Sequence, residues 1–190
     1  MAWIIAIVIV GLLVIWYVSI YNGLVQIRTH VQESWSQIDV QLKRRNDLIP
    51  NLVSTAKGYA TYEKSTLQKV VELRNQLTAV PAGDRQQTME VSNELSGTLR
   101  SLFAVAENYP DLKANTQFTN LMEELTNTEN KIAYSRQLYN STVASLNMRV
   151  QSFPSNLVAN IHHFAMEKYL EVPAEEKATP KVSFDDLNTK

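Results

Sequence analysis

The sequence contains no cysteine, and this absence excludes disulfide bonds, thiol catalysis, cysteine-based zinc sites and a lipoprotein anchor. Only 5 glycines occur among 190 residues, too few for phosphate-binding loops or a turn-rich β fold. The formal net charge is -1, so the chain has no overall positive field with which to bind nucleic acid. Apolar side chains are abundant, at 45% of the residues against 19% charged, which excludes a disordered protein.

The N-terminal segment carries the longest apolar run of the chain. No charged side chain occurs in residues 1–27, and the stretch Ala2–Tyr21 is almost entirely aliphatic and aromatic. About 20 residues at ~1.5 Å each match a hydrocarbon layer of roughly 30 Å, so residues 1–22 are predicted to form a transmembrane helix in a lipid bilayer. Amphipathic rings at both ends are expected to anchor this helix at the membrane interfaces, namely Trp3, Trp16, Tyr17 and Tyr21.

Two other interpretations of this run compete with a spanning helix. A cleaved signal peptide would need a basic start and a small-residue cleavage site, and no Lys or Arg precedes the run. A buried helix of a soluble core is the second alternative, but uncharged stretches of this length are rare there.

The distribution of basic residues favours one membrane orientation. The first charge after the run is Arg28, and the cluster Lys43-Arg44-Arg45 follows. The positive-inside rule therefore favours an outside N-terminus and a cytoplasmic bundle, although long domains are also translocated regardless of charge. The cluster itself is expected to be a solvated helix face, with contact to anionic lipid as the alternative.

The remaining chain shows helical periodicity, and no segment alternates long enough to predict a sheet. Apolar residues recur in steps of three and four, and Pro81-Ala82-Gly83, Pro110 and Pro154 interrupt the pattern. We therefore predict an all-α fold, in which residues 23–170 form an antiparallel up-and-down bundle with one very long first helix. The predicted helices cover residues of about 24–79, 84–109, 115–152 and 155–169. Asp84, Asn115 or Thr116, and Ser155 are the expected helix starts.

One proline lies inside the predicted first helix. Pro50 removes a backbone donor and clashes with the carbonyl four residues earlier, so a kink near residues 46–49 is expected. Alternatively, Asp47 caps a restarted helix that holds Pro50 in its first turn.

Residues 171–190 differ in composition from the bundle. Pro173, Pro180 and several charged side chains predict a flexible tail. Within it, Lys181, Val182, Ser183 and Phe184 form a small apolar island. This island is either part of an unstructured end or a partner contact that adds a strand to another protein's sheet.

No set of residues predicts catalysis, cofactor binding or a metal site. His162 and His163 are neighbours and diverge by about 100° on a helix, which prevents shared coordination. The chain has no nucleophile elbow, no phosphate-binding loop and no dinucleotide or zinc-protease motif. Among the seam polar residues, Arg45 is expected to make a buried pair with Asp47, Glu129 or Glu94.

Several long strings in this chain resemble the LemA family of bacterial membrane proteins. The strongest is WSQIDVQLKRRNDLIPNLV at residues 35–53. The others are KGYATYEK at 57–64, NELSG at 93–97, AENYPDLKAN at 106–115, ELTNTENKIA at 124–133, RQLYN at 136–140, SFPSNL at 152–157 and PKVSF at 180–184. The chain departs from the usual family ending by the extension at residues 185–190.

The resemblance implies a single-pass protein of the bacterial cytoplasmic membrane that carries an antiparallel helical bundle. It also implies a genomic context beside a TPM-domain protein or a membrane zinc protease of the HtpX type, and therefore a role in envelope maintenance. The family has no established enzymatic activity to map onto residues of this chain.

Two hypotheses of function follow. The first is a membrane-tethered helical scaffold or adaptor that binds copies of itself and an envelope protein or membrane protease. The second is a one-span sensor, in which a ligand shifts the bundle and moves the membrane helix; it would need a pocket with convergent polar groups.

Overall fold

The computed structural model describes residues 1–57 and 64–171, and within these ranges it contains helices and no strand. The helices are α1 (Ala2–Ala56), α2 (Lys64–Ala79), α3 (Arg85–Ala106), α4 (Pro110–Lys113), α5 (Thr116–Gln151) and α6 (Ser155–Ile161). The predicted all-α class and the long first helix are therefore confirmed. Because α1 runs without a break through Asn22-Gly23, the apolar run and the bundle share one helix.

Interhelical hydrogen bonds define an up-and-down order. Arg74 on α2 donates to the Asn46 carbonyl of α1 at 3.0 Å, which requires α2 to run back along α1. On α5, Glu129 pairs with Arg45 at 2.9 Å, while the later Thr142 lies 3.0 Å from Ser34. Helix α5 is therefore antiparallel to α1 as well.

Among the described residues, the core follows α1 and α5 in three successive clusters. At the far end all four long helices contribute, including Leu52, Leu73, Leu102 and Phe118. The middle cluster includes Ile38 and Tyr139. The cluster nearest the apolar run packs Leu24 of α1 against Val158, Ala159 and Phe164.

The prediction of one helix over residues 24–79 is wrong. Helix α1 ends at Ala56 and α2 begins at Lys64, with residues 58–63 outside the described part of the chain. The apolar stripe Leu67, Val70, Leu73 and Leu77 continues the heptad pattern of α1, but it packs into the same core as the end of α1. A straight helix would leave that stripe in water, so burial favours the reversal.

The boundaries of the second and third predicted helices need smaller corrections. The predicted helix 84–109 ends at Ala106, and Pro110 begins the short α4 rather than only ending α3. The predicted start at Asp84 is confirmed, because its carboxylate accepts from the Gln87 amide at 3.0 Å. Asn115 caps α5 in the same way, through the Phe118 amide at 3.1 Å.

The prediction of a helix over residues 155–169 is also wrong. Helix α6 ends at Ile161, and His163 takes a left-handed conformation with φ of 55°. Ser155 does not cap α6, since its hydroxyl donates backwards to the Arg149 and Ser152 carbonyls. Residues 164–170 are non-helical and lie against α5, and we call this segment the strap.

Helix α1 continues through Pro50, so a helix restarted at Asp47 is not observed. The kink at Pro50 stays a prediction. Of the predicted tail, only Glu171 belongs to the described residues, and the island Lys181–Phe184 lies outside them.

Candidate functional site

The apolar run of α1 makes almost no contact with the bundle. Trp3 is 84% exposed and Trp16 45% exposed, and the aliphatic side chains between them are exposed too. By length and composition this part of α1 suffices to cross a membrane. The bundle leaves it uncovered, as expected for a surface that faces lipid.

The two tyrosines at the end of this run contact the segment after α6. The Tyr17 hydroxyl lies 2.8 Å from His162 Nε2, and the rings of Tyr21 and His162 have centroids 4.6 Å apart. Phe164 contacts the Tyr21 ring edge-on at 6.1 Å, and the Arg28 guanidinium lies 4.9 Å above the Phe164 ring. These contacts join residues up to 145 positions apart, and no local sequence signal indicates them.

Arg45 is the centre of a buried polar cluster, so the three residues of the predicted basic cluster do not share one environment. Lys43 and Arg44 are exposed, whereas Arg45 is completely buried. Its guanidinium donates at 2.9 Å each to Glu129, Ser96 and Ser92. Of the three partners considered from sequence, Glu129 is the one observed.

A second polar cluster joins α1, α3, α5 and the strap. The Arg85 guanidinium lies 5.5 Å from the Trp35 ring and 5.7 Å from the Tyr139 ring. It also donates to the Tyr139 hydroxyl at 3.2 Å and to Glu167 at 3.4 Å. Burial raises the pKa of Asp39 in this cluster, partly offset by a Trp35 hydrogen bond and the Arg85 charge. Burial likewise raises the pKa of Tyr139, against the lowering effect of Arg85.

Two asparagines of α5 hold the strap. The Asn147 amide donates to the Glu167 carbonyl at 2.9 Å and accepts from the Glu167 amide at 2.9 Å. Asn140 makes the same pair of bonds with Leu170, at 3.0 and 2.9 Å. The seven residues from Asn140 to Asn147 on a helix and the three from Glu167 to Leu170 in an extended segment both advance about 10 Å. Both asparagines can therefore bond to the strap at the same time.

An open groove of about 990 Å³ lies between α3 and α5. Its walls combine small residues such as Gly97 and Ala133 with charged ones such as Lys69, Glu94 and Glu129. The Arg136 guanidinium donates to Asn93 across it at 3.2 Å. The groove thus contains both charged and polar side chains, although Glu129 and Arg136 are bonded to other side chains of the bundle.

Within the described ranges, no group of three or more His, Asp or Glu side chains is placed to hold a metal ion. His162 and His163 lie after the end of α6 and not on a helix as predicted, and His162 contacts Tyr17. The exposed His30 lies 2.9 Å from Glu33 on the same helix face.

These features define a helical, membrane-associated protein, whose bundle is continuous with an exposed apolar helix. The chain belongs to the LemA family, since the model of that family matches residues 34–184. It is similar to protein LemA of Metamycoplasma hominis, with 27% identity over 79% of this chain and 68% of the relative.

Two further relatives are named as magnetosome proteins. Magnetosome protein MamQ of Magnetospirillum gryphiswaldense is 24% identical over 88% of this chain and 71% of its own length. Magnetosome protein MamQ 2 of Paramagnetospirillum magneticum is 23% identical over 80% of this chain and 64% of its own length. The resemblance read from the sequence is thus confirmed.

Proposed function

We propose that this protein is a membrane-anchored helical scaffold of the bacterial cell envelope that acts through protein–protein contacts. The continuity of α1 from the apolar run to Ala56 carries the proposal. A helix without a break ties the position of the bundle to the position of the span. A partner bound to the bundle is thereby held at a set place relative to the bilayer.

The proposed location is the cytoplasmic membrane, with the N-terminus outside and the bundle inside. Two cations near the end of the apolar run support this orientation. Arg28 lies about two turns beyond Tyr21 on α1, over the Phe164 ring. Arg149 of α5 packs so closely against Gly23 that a Cβ added to this glycine would lie 2.6 Å from the Arg149 guanidinium. Cations beside a span favour the cytoplasmic leaflet.

Self-association is part of the proposal, and one surface of the bundle supports it. Val40 on α1 and Tyr134 on α5 are 62% and 68% exposed, and they border the same shallow groove. Large apolar side chains that share an exposed groove favour contact with another protein surface.

Light scattering of the full chain in mild detergents tests this part. We expect a mass above one chain for the natural protein and a lower mass for the Val40→Glu, Tyr134→Glu variant. Val71→Glu, at a 37% exposed position on α2, is the matched control and should leave the mass unchanged. A strictly monomeric natural protein in several detergents contradicts self-association.

The proposed partners are a further envelope protein or a membrane protease. Crosslinking in native membranes with mass-spectrometric identification tests this, because it reports partners and self-contacts together. We expect capture of such a partner to be lost on deletion of residues 181–190, which include the island Lys181–Phe184. Recovery of copies of this chain alone would contradict the adaptor role.

A one-span sensor is the second candidate, and the groove between α3 and α5 favours it. That groove is open, about 990 Å³ in volume and lined by charged and small polar side chains. A thermal-shift screen of the full chain against small anionic and cationic metabolites distinguishes the candidates. Stabilisation that is lost in the Arg136→Met variant supports sensing, and no stabilisation by any compound supports the scaffold.

A further inference from the structure

Helix α6 has an apolar face that the bundle does not cover. Its inner side is buried, since Val158 and Ala159 are 2% and 0% exposed against Leu24. On its outer side Phe153, Leu157 and Ile161 are 79%, 53% and 62% exposed. Phe153 lies in the turn just before α6, and the three residues follow one another at intervals of four. At that spacing the two on α6 lie on one helical face.

The position of this face along α1 indicates its partner. The end of α6 is held by the hydrogen bond between His162 Nε2 and the Tyr17 hydroxyl, which is 2.8 Å long. Tyr17 precedes the end of the apolar run at Tyr21 by four residues, or about 6 Å along the helix axis. A span that places this run in the hydrocarbon layer therefore places the end of α6 at the interface of that layer. Water is expected to cover this level of the molecule only in part.

The chemistry around the face fits a lipid headgroup region. Two cations lie at the same end of the bundle, Arg28 over the Phe164 ring and Arg149 against Gly23, and His162 and His163 are exposed after the last residue of α6. Interfacial helices combine an apolar face in the outer acyl region with cations at the headgroups, and they insert by about 5–10 Å. The level of Tyr17 lies within that depth.

We propose that Phe153, Leu157 and Ile161 insert into the bilayer leaflet on the bundle side of the span, where α1 emerges from the membrane. We call Phe153 and α6 together the foot. The partner is the lipid surface itself, and the inference rests on the proposed span. A single span alone leaves a bundle free to incline over the membrane. A second apolar contact beside the span restricts that inclination and sets which face of the bundle is turned away from the lipid.

The cysteine-free chain permits a direct test by site-specific labelling. A single cysteine is introduced by Ile161→Cys, labelled with an environment-sensitive fluorophore, and the full chain is placed in phosphatidylethanolamine and phosphatidylglycerol vesicles. Val71→Cys is the matched control, because it is 37% exposed on α2, outside the proposed self-association surface and far from the apolar run. We expect quenching by lipids brominated near the headgroup to be about threefold or more stronger at position 161 than at 71, as an interfacial location requires.

The outcomes separate the foot from the span. Equal quenching at both positions, in a chain that stays with the vesicles after an alkaline wash, overturns the foot and leaves the span intact. A chain that the wash removes overturns the span. A blue-shifted label at 161 that bromolipid does not quench shows that a second protein surface covers this face, and it also overturns the foot.

A second variant keeps the test independent of the label at Ile161. In the chain labelled through Phe153→Cys, the substitutions Leu157→Glu and Ile161→Glu should reduce the quenching at position 153 severalfold. Circular dichroism should remain unchanged, because both side chains point away from the core. Unaltered quenching at position 153 in a folded variant contradicts the foot.

Discussion

At the scale of single residues, the structure repairs the loss that Pro50 causes in α1. Proline has no amide hydrogen, so the Asn46 carbonyl four residues earlier lacks its helical donor. Arg74 of α2 supplies one, with Nε 3.0 Å from that oxygen. Pro50 therefore frees a carbonyl of α1, and this carbonyl becomes a specific attachment point for α2, which folds back on α1.

We predict that Arg74 and Pro50 are energetically coupled. Arg74→Met should lower the free energy of unfolding by about 1 kcal/mol, the usual net value of a hydrogen bond whose loss leaves an acceptor unpaired. In a Pro50→Ala background the same change should cost less, because the restored amide of residue 50 satisfies Asn46. A double-mutant cycle from denaturant unfolding in detergent measures this, and equal costs in both backgrounds would refute the coupling.

Removing either partner of the ion pair between Arg45 and Glu129 should lower stability, but by different amounts. Glu129→Ala leaves the completely buried Arg45 with two serine partners, and should cost about 3 kcal/mol. Arg45→Met should cost less, because Glu129 is a quarter exposed and reaches water when its partner is lost. Arg45 Nε has no hydrogen-bond partner among the described residues, which further limits what the pair contributes. Denaturant midpoints of the two variants decide the order.

Asp39 predicts a dependence of stability on pH. Burial raises its pKa above the usual 3.8 in the folded state, so the folded protein binds the proton more tightly than the unfolded chain. Its contribution is therefore fully present below pH 3.8 and is lost as the pH rises through the higher folded pKa. Asp39→Asn should flatten thermal stability over this window and match or exceed the natural protein at pH 7. A variant with an unchanged pH profile contradicts the assignment.

At the scale of elements, the strap replaces the helix that the sequence pattern predicted there. Asn140 and Asn147 lie seven residues apart on α5, and each pairs with both the amide and the carbonyl of a strap residue. The strap also places Glu167 beside Arg85, which connects it to α3. These contacts attach an extended segment to the bundle without a sheet.

We predict that this attachment depends on the amide side chains. Asn147→Ala removes an acceptor and a donor, and should increase hydrogen exchange of the Glu167 amide by about tenfold or more for a loss of ~1.5 kcal/mol. Asn147→Asp is the control, because a carboxylate still accepts from the Glu167 amide but cannot donate to the carbonyl. Its effect should be intermediate. Exchange that is unchanged in both variants would show that packing alone holds the strap.

At the scale of the whole molecule, α1 determines how far the bundle extends from the apolar run. The 55-residue helix has about 35 residues beyond Tyr21, or roughly 50 Å of rise. The widest part of the core, where all four long helices contribute, includes Leu52 and Phe118 near the far end of α1. The core of the bundle is thus widest well away from the apolar run.

We predict a corresponding distance from the bilayer. A donor fluorophore attached through Asn51→Cys should lie about 45 Å from the interface and one attached through Gln26→Cys about 8 Å, from the rise of α1. Energy transfer to acceptor lipids in nanodiscs should be strong at position 26 and weak at 51. Similar efficiencies at both positions would mean that the bundle lies flat on the membrane.

The sequence by itself determined the features that depend on local periodicity and length. These are the apolar run, the heptad stripes, the helix starts at Asp84 and Asn115, the long all-α architecture and the family. Each follows from side chains a few residues apart, which interact through one stretch of backbone.

Only the tertiary structure decided where the chain reverses and which distant groups meet. The heptad pattern is the same whether Leu67 and Leu77 prolong α1 or fold back on it, and burial in the common core selects the second. Likewise Arg45 had three acidic candidates, and His162 gave no sign of its contact with Tyr17, 145 residues away. Such pairings depend on the packing of whole helices, whose free energy no single stretch of sequence contains.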